Sequence, residues 1–269
     1  MTDKEYRASP GISRSELWLL NPATGGTPEK FMYARENPEP STPAMEFGIL
    51  VHLALLEPHK FADVFTFAPN VDRRTKAGKE AWAAAMDAAA GRTIVTEDDW
   101  AVACLMAQEV RRYPFAEKLL GGDHEQVFRW TDADTGEECK VRADAVVTVG
   151  GTPIIIDYKT TTDASTEAFA RKAVQMGYDF QSGMYCEGYE KATGQRPRFV
   201  FIVQEKAEPY AVNILEADEG FIQRGKDIFR ELIGIYHECK LTDNWYGYMG
   251  SNCTIGRLSL PAWAENKEV

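Results

Sequence analysis

The chain has no C-x-x-C pair. Its five cysteines, Cys104, Cys139, Cys186, Cys239 and Cys253, are odd in number and widely spaced. That pattern argues against a zinc ribbon and lacks the closely spaced run that holds an iron–sulfur cluster. Reduced, buried or half-buried thiols are the expectation. Long apolar runs are missing as well, and none approaches the roughly 20 residues of a membrane span. The first seven residues carry no apolar signal-peptide core, so a cytoplasmic setting is expected. Positive charge is in deficit: 30 Lys and Arg stand against 41 Asp and Glu, a net charge of −11. This excludes a protein that grips nucleic acid with its whole surface. It leaves room for an acidic metal site that repels a polyanion until a divalent cation fills it. There is no internal repeat and no low-complexity segment. What the 269 residues do have is an ordinary hydrophobic content of 44%, enough for a core that needs neither disulfides nor a structural metal.

The order of patterns predicts one mixed α/β domain over residues 1–269. Residues 1–44, rich in Pro, Gly, Ser and Thr, read as an arm of loops with one short helix. Ser13-Arg-Ser-Glu16 has the form of a capping box, and Asn21-Pro22 stops the helix. Gly25-Gly-Thr-Pro28 and Glu36-Asn-Pro-Glu-Pro40 read as loops. Residues 45–120 form a helical part: a buried helix over 45–56, then helices over 75–90 and 97–110 separated by Gly91. Residues 121–240 form an α/β core. Strands are predicted over 125–131, 138–149 and 152–159, joined as a meander by Asp134-Thr-Gly136 and Gly150-Gly151. Helices over 165–175 and 179–192, strands over 198–204 and 210–215, and a long helix over 217–239 follow. Residues 241–269 are a tail without assignment.

The chemistry sits in the core. Asp144 lies near the end of one strand. Thirteen residues on, the apolar run Ile154-Ile155-Ile156 ends in Asp157-Tyr158-Lys159. Alternation puts Lys140, Arg142 and Asp144 on one face of their strand, and Asp157 and Lys159 on one face of the next. The tight Gly150-Gly151 turn makes the strands neighbours, so Asp144 and Asp157 can converge. Two carboxylates about 4 Å apart repel by about 4 kcal/mol at an effective dielectric of 20. A proton or a divalent cation offsets that, and oxygen ligands favour Mg²⁺ or Mn²⁺. Lys159 could orient a water or, with a lowered pKa, accept its proton. Read alone, the same residues also describe a solvated hairpin. His52 lies on an apolar helix stripe, where a satisfied core histidine is the commoner role. Gly48, one turn earlier, leaves space beside it. Gln181 and Tyr185, spaced i and i+4, share a helix face and suit either a polar surface pair or contact with a phosphate or a base edge. Glu125, before the first strand, reads as an ordinary exposed acid.

Taken together, Ile12-Ser-Arg-Ser-Glu-Leu17, Pro43-Ala-Met-Glu-Phe-Gly-Ile-Leu-Val-His52, Lys140-Val-Arg-Ala-Asp144, Ile156-Asp-Tyr-Lys-Thr160 and Tyr178-Asp-Phe-Gln-Ser-Gly-Met-Tyr185 resemble the PD-(D/E)xK nuclease superfamily. They are most similar to the RecE-like (exonuclease VIII) phage recombination exonucleases and to RecB-like nuclease domains. The resemblance spans roughly residues 12–215. It implies a restriction-endonuclease-like α/β core, with a small, mostly antiparallel sheet flanked by helices and an N-terminal helical part. It implies one or two Mg²⁺ ions, with Mn²⁺ as substitute and no iron–sulfur cluster. His52, Asp144, Asp157 and the Tyr158 carbonyl would be ligands, with Glu125 a weaker candidate. Lys159 would position or activate the attacking water. Gln181 and Tyr185 would support the site and the DNA strand, and Arg14 and Arg142 would contact DNA, Arg14 at a 5′-phosphate end. The activity implied is 5′→3′ digestion of linear duplex DNA in recombination by strand annealing. Double-stranded DNA ends, a single-strand annealing protein and a homo-oligomeric ring would be the partners, with no membrane, in a bacterial cell hosting the phage or prophage. A structure-specific endonuclease on the same fold and a non-catalytic phage interaction module remain alternatives. The chain departs from the pattern in carrying Ala143 where the superfamily name has Pro, as RecB-like members do.

Overall fold

In the computed structural model, which describes residues 3–250 and 255–260, the chain begins with α1 (Asp3–Ala8), β1 (Ile12–Ser13), α2 (Arg14–Trp18), α3 (Pro28–Glu36) and α4 (Pro43–Leu56). It continues through α5 (Phe61–Val64), β2 (Phe65–Phe67), α6 (Lys76–Ala89), β3 (Thr93–Val95), α7 (Glu97–Arg111) and α8 (Pro114–Leu119). Then come β4 (Asp123–Thr131), β5 (Glu138–Val149), β6 (Thr152–Thr161), α9 (Thr166–Gln175), α10 (Tyr178–Thr193), β7 (Arg198–Glu205), β8 (Val212–Glu216) and α11 (Glu219–Thr242). Threonine side chains cap four helices: Thr27, Thr42, Thr75 and Thr96 accept from the backbone N–H of the third residue of α3, α4, α6 and α7. Each removes one orphan donor, worth about 1 kcal/mol. No helix among the described residues is long and apolar enough to cross a membrane.

The chain groups into two units, Met1–Arg14 with Pro40–Phe229, and Ser15–Glu39 with Arg230–Val269. Each is built from segments distant in sequence.

The first unit holds a mixed, mostly antiparallel sheet flanked by helices. The meander is as expected: β4, β5 and β6 pair antiparallel in succession. β7 then joins β6 in parallel, with α9 and α10 in the crossover, and β8 pairs antiparallel with β7. β1 lies parallel to the start of β5, on the same edge that β6 takes further along. One sheet face packs on α4, α7 and α8 through Leu50, Leu55, Met106, Val110 and Leu119 against Ile154, Ile156 and Ile202. The other packs on α9 and α10 through Phe169, Ala173 and Cys186 against Ile155, Phe199, Phe201 and Val203. Cover on both faces is why β6 and β7 are apolar almost without interruption.

The first 44 residues hold more structure than their composition predicts. α1, β1 and α3 all lie in the expected arm. Thr27-Pro28, read as part of a loop, is the N-cap and first residue of α3, a start signal outweighed on paper by the preceding glycines. β1, β2, β3 and α8 were also not expected. Strands of two or three residues are made by distant partners, Ile12 with Cys139 and Phe65 with Thr93, which local periodicity cannot show. In the second unit, Phe31 of α3 is fully buried, stacked on Trp245 at 5.5 Å and edge-on to Tyr236 at 5.7 Å. Gly26 is obligatory there, since a Cβ would fall 2.4 Å from the Leu19 carbonyl oxygen. Within the predicted tail, Cys253 lies outside the described residues.

Candidate active site

The site forms where two ladders open beside the same residue. The β5–β6 pairing runs from Val149 and Thr152 to Ala145 and Ile156, then stops one step short of Asp144 and Asp157. The Tyr158 N–H donates instead to Asp144 Oδ2 at 2.8 Å. On the other side of β5, the pairs His124 with Ala145 and Gln126 with Ala143 skip Glu125 and Asp144. Glu125 has φ of +52°, a left-handed conformation that costs a non-glycine residue about 1–3 kcal/mol and persists only where its surroundings fix it. The two openings release Glu125 and Asp144 from regular pairing, and release Asp157 on its β5 side only, since it keeps its place opposite Phe201 of β7.

Helices from both layers reach this fork. From α4, His52 Nε2 lies 3.2 Å from Asp144 Oδ2 and 3.8 Å from Glu125 Oε1. From α10, Gln181 Nε2 donates to Asp157 Oδ1 at 2.5 Å. Lys159 Nζ lies 2.5 Å from Asp157 Oδ2, and Arg142 Nε lies 2.9 Å from Glu125 Oε2. Asp157 is almost wholly buried, its side chain 1% exposed, so both its oxygens need these partners.

Charge is strongly coupled here. Burial alone would raise the Asp144 carboxyl, but His52, Lys159 and the Tyr158 N–H outweigh it and hold the group at about 2. Asp157 behaves oppositely: burial pushes it up to about 6, with Asp144 adding to the rise and Lys159 opposing it. Burial works to lower His52, yet Asp144 and Glu125 raise it above its ordinary value. Lys159 is likewise raised, because Asp157 and Asp144 overcome its burial. These neighbours therefore hold Lys159 as an ammonium, opposite to the lowered pKa that a proton acceptor needs.

The structure brings together most of the residues singled out in sequence. His52, Glu125 and Asp144 each offer a ligand atom, all within 4.8 Å of one another. One imidazole nitrogen and two carboxylates are a donor set that suits a divalent cation, so the residues present fit the Mg²⁺ or Mn²⁺ that the resemblance implies. Glu125, expected to be exposed, is mostly buried in this group, its side chain 16% exposed. Asp157 stands beside the group with its oxygens taken by Gln181 and Lys159. The Tyr158 ring is buried, and its hydroxyl donates to Gln204 Oε1 at 2.6 Å. Tyr185 is half-buried and packs edge-on against Phe199 at 6.2 Å. Arg142 bridges Glu125 and the Tyr6 ring, 4.9 Å away. Arg14 donates to the Met176 and Gly177 carbonyls at 2.6 and 2.8 Å. Lys140, placed with Arg142 and Asp144 by alternation, is buried and donates to the carbonyls of Tyr6, Arg7 and Ser9. One residue was missed: Tyr178, whose ring face lies 4.8 Å from Lys159 Nζ. Its place one turn before Gln181 was the available signal.

A forked sheet with a histidine, acids and Asp-x-Lys gathered at the fork defines a PD-(D/E)xK-like protein. Residues 24–258 match the model of a family described as PDDEXK-like domain of unknown function (DUF3799); the chain belongs to that family. Its fold is similar to that of a solved Eubacterium rectale protein, assigned by inference as an exonuclease. That similarity has a TM-score of 0.60 at 13% identity and covers 100% of this chain and 99% of the other. A second solved structure, that of SSO0001, gives a TM-score of 0.33 at 15% identity over 71% of this chain and 86% of that one. No curated protein matches the chain.

Proposed function

We propose that this chain is a Mg²⁺-dependent deoxyribonuclease, a 5′→3′ exonuclease on linear duplex DNA. The observation that carries the reading is the gathering of His52, Glu125 and Asp144 within 4.8 Å beside the Asp157–Lys159 pair. The polarity, a role in recombination with a strand-annealing partner, and ring assembly rest on the resemblance to RecE-like enzymes. His52, Glu125 and Asp144, with Asp157 and the Tyr158 carbonyl, would hold the cation. When bound, a divalent cation neutralises the acids, draws in the phosphodiester and lowers the pKa of water for in-line attack.

The chain's own groups do the rest. Gln181 fixes Asp157 and the Tyr158 N–H fixes Asp144, so neither carboxylate needs to reorganise when substrate arrives. The Lys159 ammonium orients the attacking water and faces the charge that builds on the phosphate. Arg142 keeps Glu125 in place against its strained backbone.

The test is digestion of end-labelled linear duplex with Mg²⁺ by the wild type, Asp144→Ala and Lys159→Ala. The wild type is expected to shorten the strands from their 5′ ends, to spare covalently closed circles and to outpace both variants by at least about a hundredfold. Undiminished activity in both variants would sink the site assignment. Cutting of closed circles would make the protein an endonuclease instead.

A further inference from the structure

Tyr178 lies against the proposed lysine, and neither Asp-x-Lys nor the Gln181–Tyr185 pair gives it a role. It is the first residue of α10 and follows Gly177, whose φ of +67° turns the chain sharply out of α9. The corner is held from outside both helices. Arg14, directly after β1, donates to both corner carbonyls, those of Met176 and Gly177, and its guanidinium lies 5.8 Å from the Phe180 ring centroid. The Tyr178 ring then rests on an aromatic bed, 5.9 Å from Phe169 and 6.1 Å from Phe201. Phe201 is itself packed on Phe199 at 5.0 Å and Phe221 at 6.1 Å. The ring is thus fixed from below and at its backbone, and the Lys159 ammonium lies over it at 4.8 Å.

Lys159 needs such a support. Its side chain is 19% exposed, so water cannot fully solvate the ammonium, and a lysine has four rotatable bonds with which to leave its post. Asp157 gives it one partner, Oδ2, and the ring face gives it a second from another direction. The same helix sets both members of the pair: Tyr178 meets Lys159, and Gln181, three residues on, meets Asp157.

We propose that Tyr178 is a positioning residue for Lys159: its ring face, locked at the Arg14-clamped corner of α9 and α10, holds the ammonium at the fork. The interaction uses the ring and not the hydroxyl. The kinetic consequence rests on the nuclease reading; the placement of Lys159 does not.

Two measurements on Tyr178→Leu and Tyr178→Phe test this. The first is the proton–carbon spectrum of metal-free protein labelled on lysine, with Lys159 assigned through Lys159→Arg. Its ε-methylene protons are expected to be shifted upfield by the ring, to stay so in Tyr178→Phe and to lose the shift in Tyr178→Leu. No change in Tyr178→Leu, or equal loss in Tyr178→Phe, overturns the placement. The second is steady-state digestion of duplex DNA. Tyr178→Leu should lower kcat on the order of tenfold to a hundredfold, with KM and Mn²⁺ affinity by calorimetry close to the wild type and a small drop in thermal midpoint from the lost ring packing, and phenylalanine should restore kcat. A fall in Mn²⁺ affinity alongside kcat, or a kcat that phenylalanine does not restore, would overturn the positioning role. Wild type inactive on DNA with the spectral result intact would refute the nuclease reading and leave the Lys159 contact standing.

Discussion

Replacing Asp157 with asparagine should stabilise the metal-free protein while abolishing its function. Burial, reinforced by Asp144, pushes Asp157 from its ordinary 3.8 up to about 6 despite Lys159. A carboxyl raised in the folded state binds its proton more tightly there than in the unfolded chain. Stability from this group is therefore fully present below pH 4 and is lost as pH rises through 6. At about 1.4 kcal/mol per pH unit, the ionised side chain costs up to about 3 kcal/mol at pH 7. Asparagine keeps an oxygen for Gln181 Nε2 and removes that cost, while its amide NH2 faces the Lys159 ammonium in place of Oδ2 and takes back part of the gain. Asp144 behaves in the opposite sense: held at about 2, it contributes stability above pH 4 that is lost as pH falls through 2. The assay is thermal unfolding in EDTA at pH 4.5 and pH 7. At pH 7, Asp157→Asn is expected to unfold above the wild type, by at most about 6–12 °C at about 2–4 °C per kcal/mol for a domain this size. The difference should shrink at pH 4.5, where the wild-type carboxyl is protonated. A variant no more stable than the wild type at pH 7, or a difference that does not narrow on acidification, would refute the reasoning.

Three further outcomes follow from the same geometry. Mn²⁺ at a hundred times its dissociation constant should stabilise the wild type by about 2.7 kcal/mol, and Asp144→Asn or Glu125→Gln should erase that shift; a thermal scan with and without Mn²⁺ reads it. Gly183→Ala would put a Cβ 2.3 Å from the Gly225 carbonyl carbon, so α10 must move; a loss of about 1–3 kcal/mol in urea unfolding is expected, with reduced activity as Gln181 leaves Asp157. Tyr158→Phe strips Gln204 Oε1 of its hydroxyl donor inside the core, and should cost about 1–3 kcal/mol by the same unfolding measurement.

The meander, the helix that carries His52 and the helix that carries Gln181 were legible because their signals are local. Gly150-Gly151 ends one alternating run and begins another, and apolar residues at 3- and 4-residue spacing mark the helix that carries His52. The short strands were not, because β1 exists only through β5, and β2 only through β3. Among the site residues, Asp144, Asp157 and Lys159 could be named from strand periodicity and a turn. Glu125 could not be given its place, since nothing in its neighbours announces a positive φ. The resemblance sets Arg14 and Arg142 against DNA, and the fold gives each a partner within the chain: the α9–α10 corner for Arg14, Glu125 and the Tyr6 ring for Arg142.

By itself, then, the sequence determined which residues carry charge and ligand atoms, and the order in which strands and helices present them. That follows because periodicity, caps and turn residues act within a few positions of the chain. The tertiary structure alone decided that two ladders open at the same level of β5, that the left-handed Glu125 enters the group, and that Asp144 and Asp157 titrate in opposite directions. Those outcomes depend on burial and on charges from four separate elements, α4, β4, β5 and β6, and no local pattern records how such segments meet.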